Sequence, residues 1–218
     1  MISRLLSKLR PAAPAPSGLA ASREQAVRAA LGDPAFIDRD DDPDRRVDIY
    51  GFGRNFVEDC ARHAAADEGV VLVTSGMSDR PMRIPAEAEG QASPATELIW
   101  YVREPNREFI GNLRWLAKLA DIDKTWFGSG HRVPMPDPPL SFCGFRTFLL
   151  LTPIIGSDRE LFAAVRAGGH AIETLCVHLI SEPEYGLIKR TNGLRTFFDL
   201  LDEGDYPLVF DPRRASLL

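Results

Sequence analysis

The sequence predicts an α+β fold: a mixed, largely antiparallel sheet covered by helices, in a single domain. Apolar runs of strand length recur at VVLV (70–73), ATELIWYV (95–102), FRTFLLLTPI (145–154) and AIETLCVHLIS (171–181). One helical period is clear in NREFIGNLRWLAKLAD (106–121), where Phe109, Ile110, Leu113, Leu116, Ala117 and Ala120 share a face. Strands come in groups and not in strict alternation with helices, which argues against a doubly wound parallel sheet.

The elements follow in order. MISRLLSKLR sets Ile2, Leu5, Leu6 and Leu9 on one helical face and Arg4, Lys8 and Arg10 on the other. Cations interrupt the apolar run that a signal peptide needs. PAAPAPSG (11–18) reads as a semi-stiff linker, so residues 1–21 form an amphipathic segment and its tether. Residues 22–45 hold a helix and a polar connector. Ser22 and Gln25 have capping-box spacing, and Gly32 ends the helix. The main domain spans 46–218. RVDIYGF alternates as its first strand, and GFGRNF reads as a turn ending that strand. TWFGSGH and the proline-rich VPMPDPP close a strand and form a loop. After Glu182 come one or two helices with a stripe of Leu194, Phe197, Phe198 and Leu201.

The chain of 218 residues is 44% hydrophobic, enough for one substantial core. A net charge of −5 argues against a nucleic-acid binder, which carries a basic footprint. The three cysteines, Cys60, Cys143 and Cys176, have no paired spacing and read as reduced thiols of a cytoplasmic protein. No window approaches the roughly 18 apolar residues of a membrane span.

Most motifs lack a part their chemistry needs. GFGRNF begins like a dinucleotide fingerprint, but Phe56 stands where close helix–strand packing needs glycine. Asp38, Asp40 and Asp42 have calcium-loop spacing, with Pro43 at the glycine position and Ile49 at the twelfth. Cys60 with His63, and Cys176 with His178, are zinc half-sites in spacing only. Ser129 and His131 in GSGH lack the glycine that a nucleophile elbow requires before its serine. The carboxylate pairs Glu87/Glu89 and Asp202/Glu203 sit in polar, turn-like contexts. No cofactor or metal is expected. TSGMSDRPM (74–82) is a turn rich in hydroxyls, in which Gly76 takes a positive φ and Pro81 restarts extended chain.

TSGMSDRPM, then ATELIWYV, then FIGNLRWLAKLAD, then TWFGSGH, with LLLTPI and CVHLISEPEYG later, closely resembles the Suppressor of fused domain family from about Val47 to Leu201. The resemblance implies a non-enzymatic protein-binding domain. Animal members carry a second domain and hold a peptide as an added strand. Bacterial stand-alone members look like immunity proteins of toxin systems, and the Ala-, Arg- and Asp-rich composition suits a bacterial source.

The expected function is therefore sequestration of a partner protein, a cognate toxin first, through a strand edge or an acidic–aromatic face. Tyr50, Asp79, Arg80, Trp126, Asp137 and Tyr185 are the candidate contact residues. Thr74, Ser75, Gly76 and Glu97 are expected to be architectural, with Glu97 accepting bonds from the turn. A hydrolase using Ser129 and His131, and an adaptor docked through residues 2–10, are the alternatives.

Overall fold

The computed structural model describes residues 18–56, 68–203 and 208–218. The amphipathic segment, most of its linker, Cys60 and His63 lie outside the described residues. Helix α1 (Leu19–Leu31) is followed by strands β1 (Phe36–Asp38), β2 (Asp48–Asn55), β3 (Glu68–Ser75) and β4 (Thr96–Val102). Then come α2 (Arg107–Ile122), β5 (Arg132–Pro134), β6 (Thr147–Leu151) and the one-turn α3 (Gly156–Arg159). The hairpin β7 (Arg166–Ala167)/β8 (His170–Ala171), the long β9 (Glu173–Ile180), α4 (Glu182–Ile188) and α5 (Gly193–Glu203) complete the chain.

Seven strands form one sheet in the order β1-β2-β3-β4-β9-β6-β5. Among the described strands only the β4–β9 pair is parallel; its neighbours run antiparallel. The fold is thus α+β with a mixed, mostly antiparallel sheet, as the grouping of strands implies.

The strand period of two divides the core. Leu98, Trp100 and Val102 of β4, with Leu72, Phe148, Leu150, Leu175 and Val177, point to one face and pack on α2. Tyr50, Phe52, Val71, Val73, Ile99, Tyr101 and Cys176 point to the other, under Val27 of α1 and Phe162. Further along that second face, Leu149, Leu151 and Ile180 meet Ile188 of α4 and Phe197 of α5. Both faces are covered, so the central strands read as unbroken apolar runs.

Helix α2 starts where Asn106 accepts hydrogen bonds from the Glu108 and Phe109 amides at 2.8 and 3.1 Å. Helix α4 starts with a capping box: Ser181 N–H donates to Glu184 at 2.8 Å, and Glu184 N–H returns a bond to Ser181 Oγ.

Several sequence expectations change. GFGRNF is not a turn; Gly51 to Asn55 continue β2. Gly51 lies opposite Phe36 of β1, and a Cβ there would strike the Phe36 ring, so the glycine makes room for an edge strand that residue patterning did not show. Helix α1 begins at Leu19, and Ser22 sits in its first turn bonding back to the Gly18 carbonyl, so no capping box forms with Gln25. Phe198 is exposed, one position off the buried Phe197. Ala171 belongs to β8, because Gly168 and Gly169 take positive φ and fold a small hairpin before β9.

The C-terminal segment is fastened to α4. Arg214 forms a double hydrogen bond with buried Glu184, at 2.6 and 2.8 Å, and lies over the Phe145 ring at 4.4 Å. Burial alone would raise the Glu184 carboxyl, and Arg214 outweighs it, holding it below its ordinary 4.5. A depressed carboxyl stabilises the fold above its unfolded value and loses that contribution as pH falls through its folded value. The urea midpoint should accordingly drop below about pH 4.5, and Glu184→Gln should flatten that drop while lowering stability at pH 7. Equal acid slopes in wild type and variant would contradict this pairing.

Candidate functional site

At the end of β3 the ladder to β4 is replaced by side chains. Main-chain pairing of the two strands covers Val70 to Val73 against residues 99–102. Beyond it, Thr74 Oγ1 accepts the Leu98 amide at 2.7 Å and donates to Glu97 Oε2 at 2.6 Å. The chain then turns at Gly76, whose φ of 136° and closeness to the Arg46 carbonyl exclude a side chain. A single 3₁₀ turn, Met77–Asp79, follows.

That turn closes over Glu97. Its Oε1 accepts from Gly76 N–H (3.0 Å), Ser78 N–H (3.1 Å) and Ser78 Oγ (2.7 Å). The residue is 0% exposed. A buried carboxylate needs a counter-charge as well as donors, and α1 supplies it. Arg23, 1% exposed, places Nε 3.5 Å from Glu97. It also donates to Ser75 Oγ (3.0 Å), Ser78 Oγ (3.1 Å) and both oxygens of Asp79 (2.6 and 3.1 Å). Burial works against the Arg23 charge, but Glu97 and Asp79 outweigh it and hold the guanidinium above its ordinary value.

Thr74, Ser75, Gly76 and Glu97 therefore meet in one network, joined by Ser78, Asp79 and Arg23. Both oxygens of Glu97 are engaged by donors that belong to the turn. The network holds backbone in place.

Beside it lies a small cavity of about 110 Å³ bordered by Arg23, Arg39, Arg46, Asp48 and Tyr50. Asp48 accepts from Arg39 (2.6 Å), from Arg46 (3.0 and 3.1 Å) and from the Asp40 amide. Tyr50 is only 2% exposed. Its hydroxyl donates to Glu24 at 2.9 Å and accepts from Arg39. The placement of Tyr50 among surface contacts is thereby corrected: alternation carries its ring into the core beneath α1.

The other candidates occupy two regions. Asp79 and Arg80, 43% and 40% exposed in their side chains, leave the turn; Asp79 pairs with Arg23, and Arg80 lies 3.7 Å from Asp121. Trp126 precedes β5 and packs edge-on against His131, ring centres 4.1 Å apart. Asp137 is exposed beyond β5. Tyr185 lies on α4, under Lys189 Nζ at 5.0 Å, and Arg132 of β5 donates to the Ile188 carbonyl of that helix.

Ser129 and His131 do not form a relay. Ser129 Oγ accepts the Thr152 amide at 3.1 Å, whereas His131 Nδ1 faces the Trp126 carbonyl at 3.1 Å. Burial lowers the His131 pKa. Among the described residues no three His, Cys, Asp or Glu side chains gather as a metal site. Asp40 and Asp42, which match a calcium loop in spacing only, are tied to Lys118 at 2.6 and 3.0 Å.

Sequence reasoning missed Arg23. The only local signal was an arginine inside an alanine-rich helix, and its partners lie more than fifty positions away. Arg23→Met should cost about 3–5 kcal/mol by leaving Glu97 uncompensated. Combining it with Glu97→Gln should cost less than the sum of the two single changes, measured by urea unfolding. Additive losses would show that the two side chains are not coupled.

Comparison with known proteins follows the same architecture. The family model for Suppressor of fused protein (SUFU) matches residues 46–215. No curated protein sequence matches the chain. Among solved structures, a SUFU homologue from Neisseria gonorrhoeae aligns with TM-score 0.64 at 16% identity, over 92% of this chain and 97% of that one. A chain of the Sufu–Fu complex aligns with TM-score 0.62 at 16% identity, over 93% of each. Drosophila Suppressor of Fused gives TM-score 0.60 at 12% identity, over 89% of this chain and 49% of that one. With the family match spanning most of its length and the fold shared, this chain belongs to the Suppressor of fused family.

Proposed function

We propose that this chain is a non-catalytic protein-binding module that occludes a partner, and that the partner is a toxin held inactive in the bacterial cytoplasm. The observation that carries the reading is family membership over residues 46–215, since a chain of the same fold occurs in the Sufu–Fu complex. A bacterial, immunity-type role is part of this reading, drawn from the Ala-, Arg- and Asp-rich composition and the Neisseria homologue of the same fold. Residues 46–218 are the binding unit in this reading, and residues 1–21 a tether. Among the described residues no helix is long and apolar enough to cross a membrane.

The geometry offers a means of capture. Strand β5 closes one end of the sheet. Met135 N–H bonds to the Arg146 carbonyl, and Leu150 N–H to the His131 carbonyl. Antiparallel alternation therefore turns the N–H and C=O of Arg132, and the C=O of Pro134, away from β6. A partner strand can pair there. Pro134 limits the pairing to a short stretch, which guards the free protein against edge-to-edge aggregation. Trp126, Asp137 and Tyr185 flank this edge and would supply side-chain contacts.

Co-expression tests the reading. Growth arrest by the toxin-like protein encoded beside this chain should be relieved by it, and the two should co-purify. Arg132→Pro removes the outward N–H and leaves every bond to β6. It should weaken co-purification at least tenfold, whereas Arg132→Ala, which loses the same guanidinium bond to the Ile188 carbonyl but keeps the N–H, should co-purify as wild type does. Small-molecule turnover by the purified protein, lost on changing one polar side chain, would overturn the non-catalytic reading.

A further inference from the structure

The first residue of β5 is held against the two C-terminal helices. Arg132 donates to the Ile188 carbonyl at the end of α4, at 3.3 Å. Two residues earlier, a Cβ on Gly130 would lie 2.9 Å from Leu194 Cδ2 in the first turn of α5. The loop that joins α4 to α5, residues 189–192, therefore rims the Arg132 end of the open edge. Lys189, Arg190 and Arg195 are exposed there, beside exposed Arg132.

Too few acids answer this group. Among the described residues Arg132, Lys189, Arg190 and Arg195 form no ion pair. Lys189 instead lies over the Tyr185 ring, 5.0 Å from its centre. Glu184 is taken by Arg214. Glu182 opens α4 at its far end, and Asp199 lies one turn beyond Arg195. Set against two of the four cations, Glu182 and Asp199 leave two. The negative end of α4 and the positive start of α5 meet at the loop and offset each other. Asp202 and Glu203 close α5, roughly 10 Å past Arg195 along the helix. The end of α2, with Asp121 and Asp123, brings Lys124 and is joined by Arg45 and Arg80. Beyond Pro134, Asp137 is matched by Arg146, which donates to the Pro136 carbonyl at 3.3 Å. His131, its pKa lowered by burial, adds no charge at neutral pH. The surplus therefore survives a full count, in a protein whose net charge is −5.

We infer that the partner carries carboxylates immediately beside its paired strand, at the Arg132 end of the edge, where Lys189, Arg190 and Arg195 meet them. The inference rests on the protein-binding reading and on pairing at β5. It adds the partner's chemistry and the end of the edge at which that chemistry falls. Opposite charge over exposed cations steers association and is screened by salt.

Two fluorescein-labelled peptides serve as probes on the full chain, followed by anisotropy. Both carry the stretch Thr-Val-Thr-Val-Thr, one flanked at each end by glutamates and the other by lysines. The glutamate peptide should bind about tenfold tighter at low ionic strength, and the gap should narrow as salt rises. Lys189→Glu with Arg190→Glu should abolish the preference. Lys189→Arg with Arg190→Lys should keep it, which separates charge from folding. Arg80→Glu with Arg83→Glu makes the same change in net charge on another face and should keep it too. Equal binding of the two peptides, a preference that survives Lys189→Glu with Arg190→Glu, or equal loss in the Arg80/Arg83 variant would overturn the inference. So would displacement by millimolar inorganic phosphate at constant ionic strength, since a small anion would then suffice. Arg132→Pro tests the pairing separately. If it abolishes co-purification while the two peptides bind alike, the protein-binding reading stands and only the acidic flank fails.

Discussion

The carboxylate of Glu97 is fixed out of reach of bulk solvent. It lies at the start of a central strand, 0% exposed, and such a charge is costly unless donors and a counter-ion surround it. The chain meets that demand from two directions. The turn after β3 folds back so that Gly76 and Ser78 donate their amides, and Thr74 and Ser78 their hydroxyls. Helix α1 lies where Arg23 can reach both Glu97 and Asp79. The direction of the chain leaving β3 and the seat of the N-terminal helix thus follow from one buried charge.

The same device recurs around the sheet. Arg54 and Tyr101 both bond to buried Asp158, which pins the single turn of α3 beside β4. Arg114 bonds to the Val47 and Asp38 carbonyls, and Lys118 to Asp40 and Asp42, so the polar connector before β2 is clamped to α2. Arg214 and Glu184 fasten the C-terminal segment. In each case a long cationic side chain spans from one element to an acid or carbonyl on another, while the apolar core on both sheet faces supplies the bulk of the cohesion.

A scaffold built this way suits recognition. The sheet is held from both faces, and among the described residues the outward main-chain groups of its end strand β5 have no backbone partner. A fold by itself does not fix what is bound; the site does. Here the surface that differs from a plain folded exterior is a short strand edge bounded by proline.

The central strands, helix α2, the turn at Gly76 and the motif series that marks the family were all legible in the sequence, because each is written in local pattern: unbroken apolar runs, a 3.6-residue period, a glycine amid hydroxyls. Tertiary structure decided the rest. Strand β1 has three residues and exists because Gly51 leaves room for Phe36. Tyr50 went inside because α1 covers the face its alternation selects. Arg23 found Glu97, and Arg45, Arg80 and Lys124 found Asp121, across separations that no periodicity encodes. Local pattern records what a residue prefers beside its neighbours; which distant charge it meets is settled only when the sheet and helices pack.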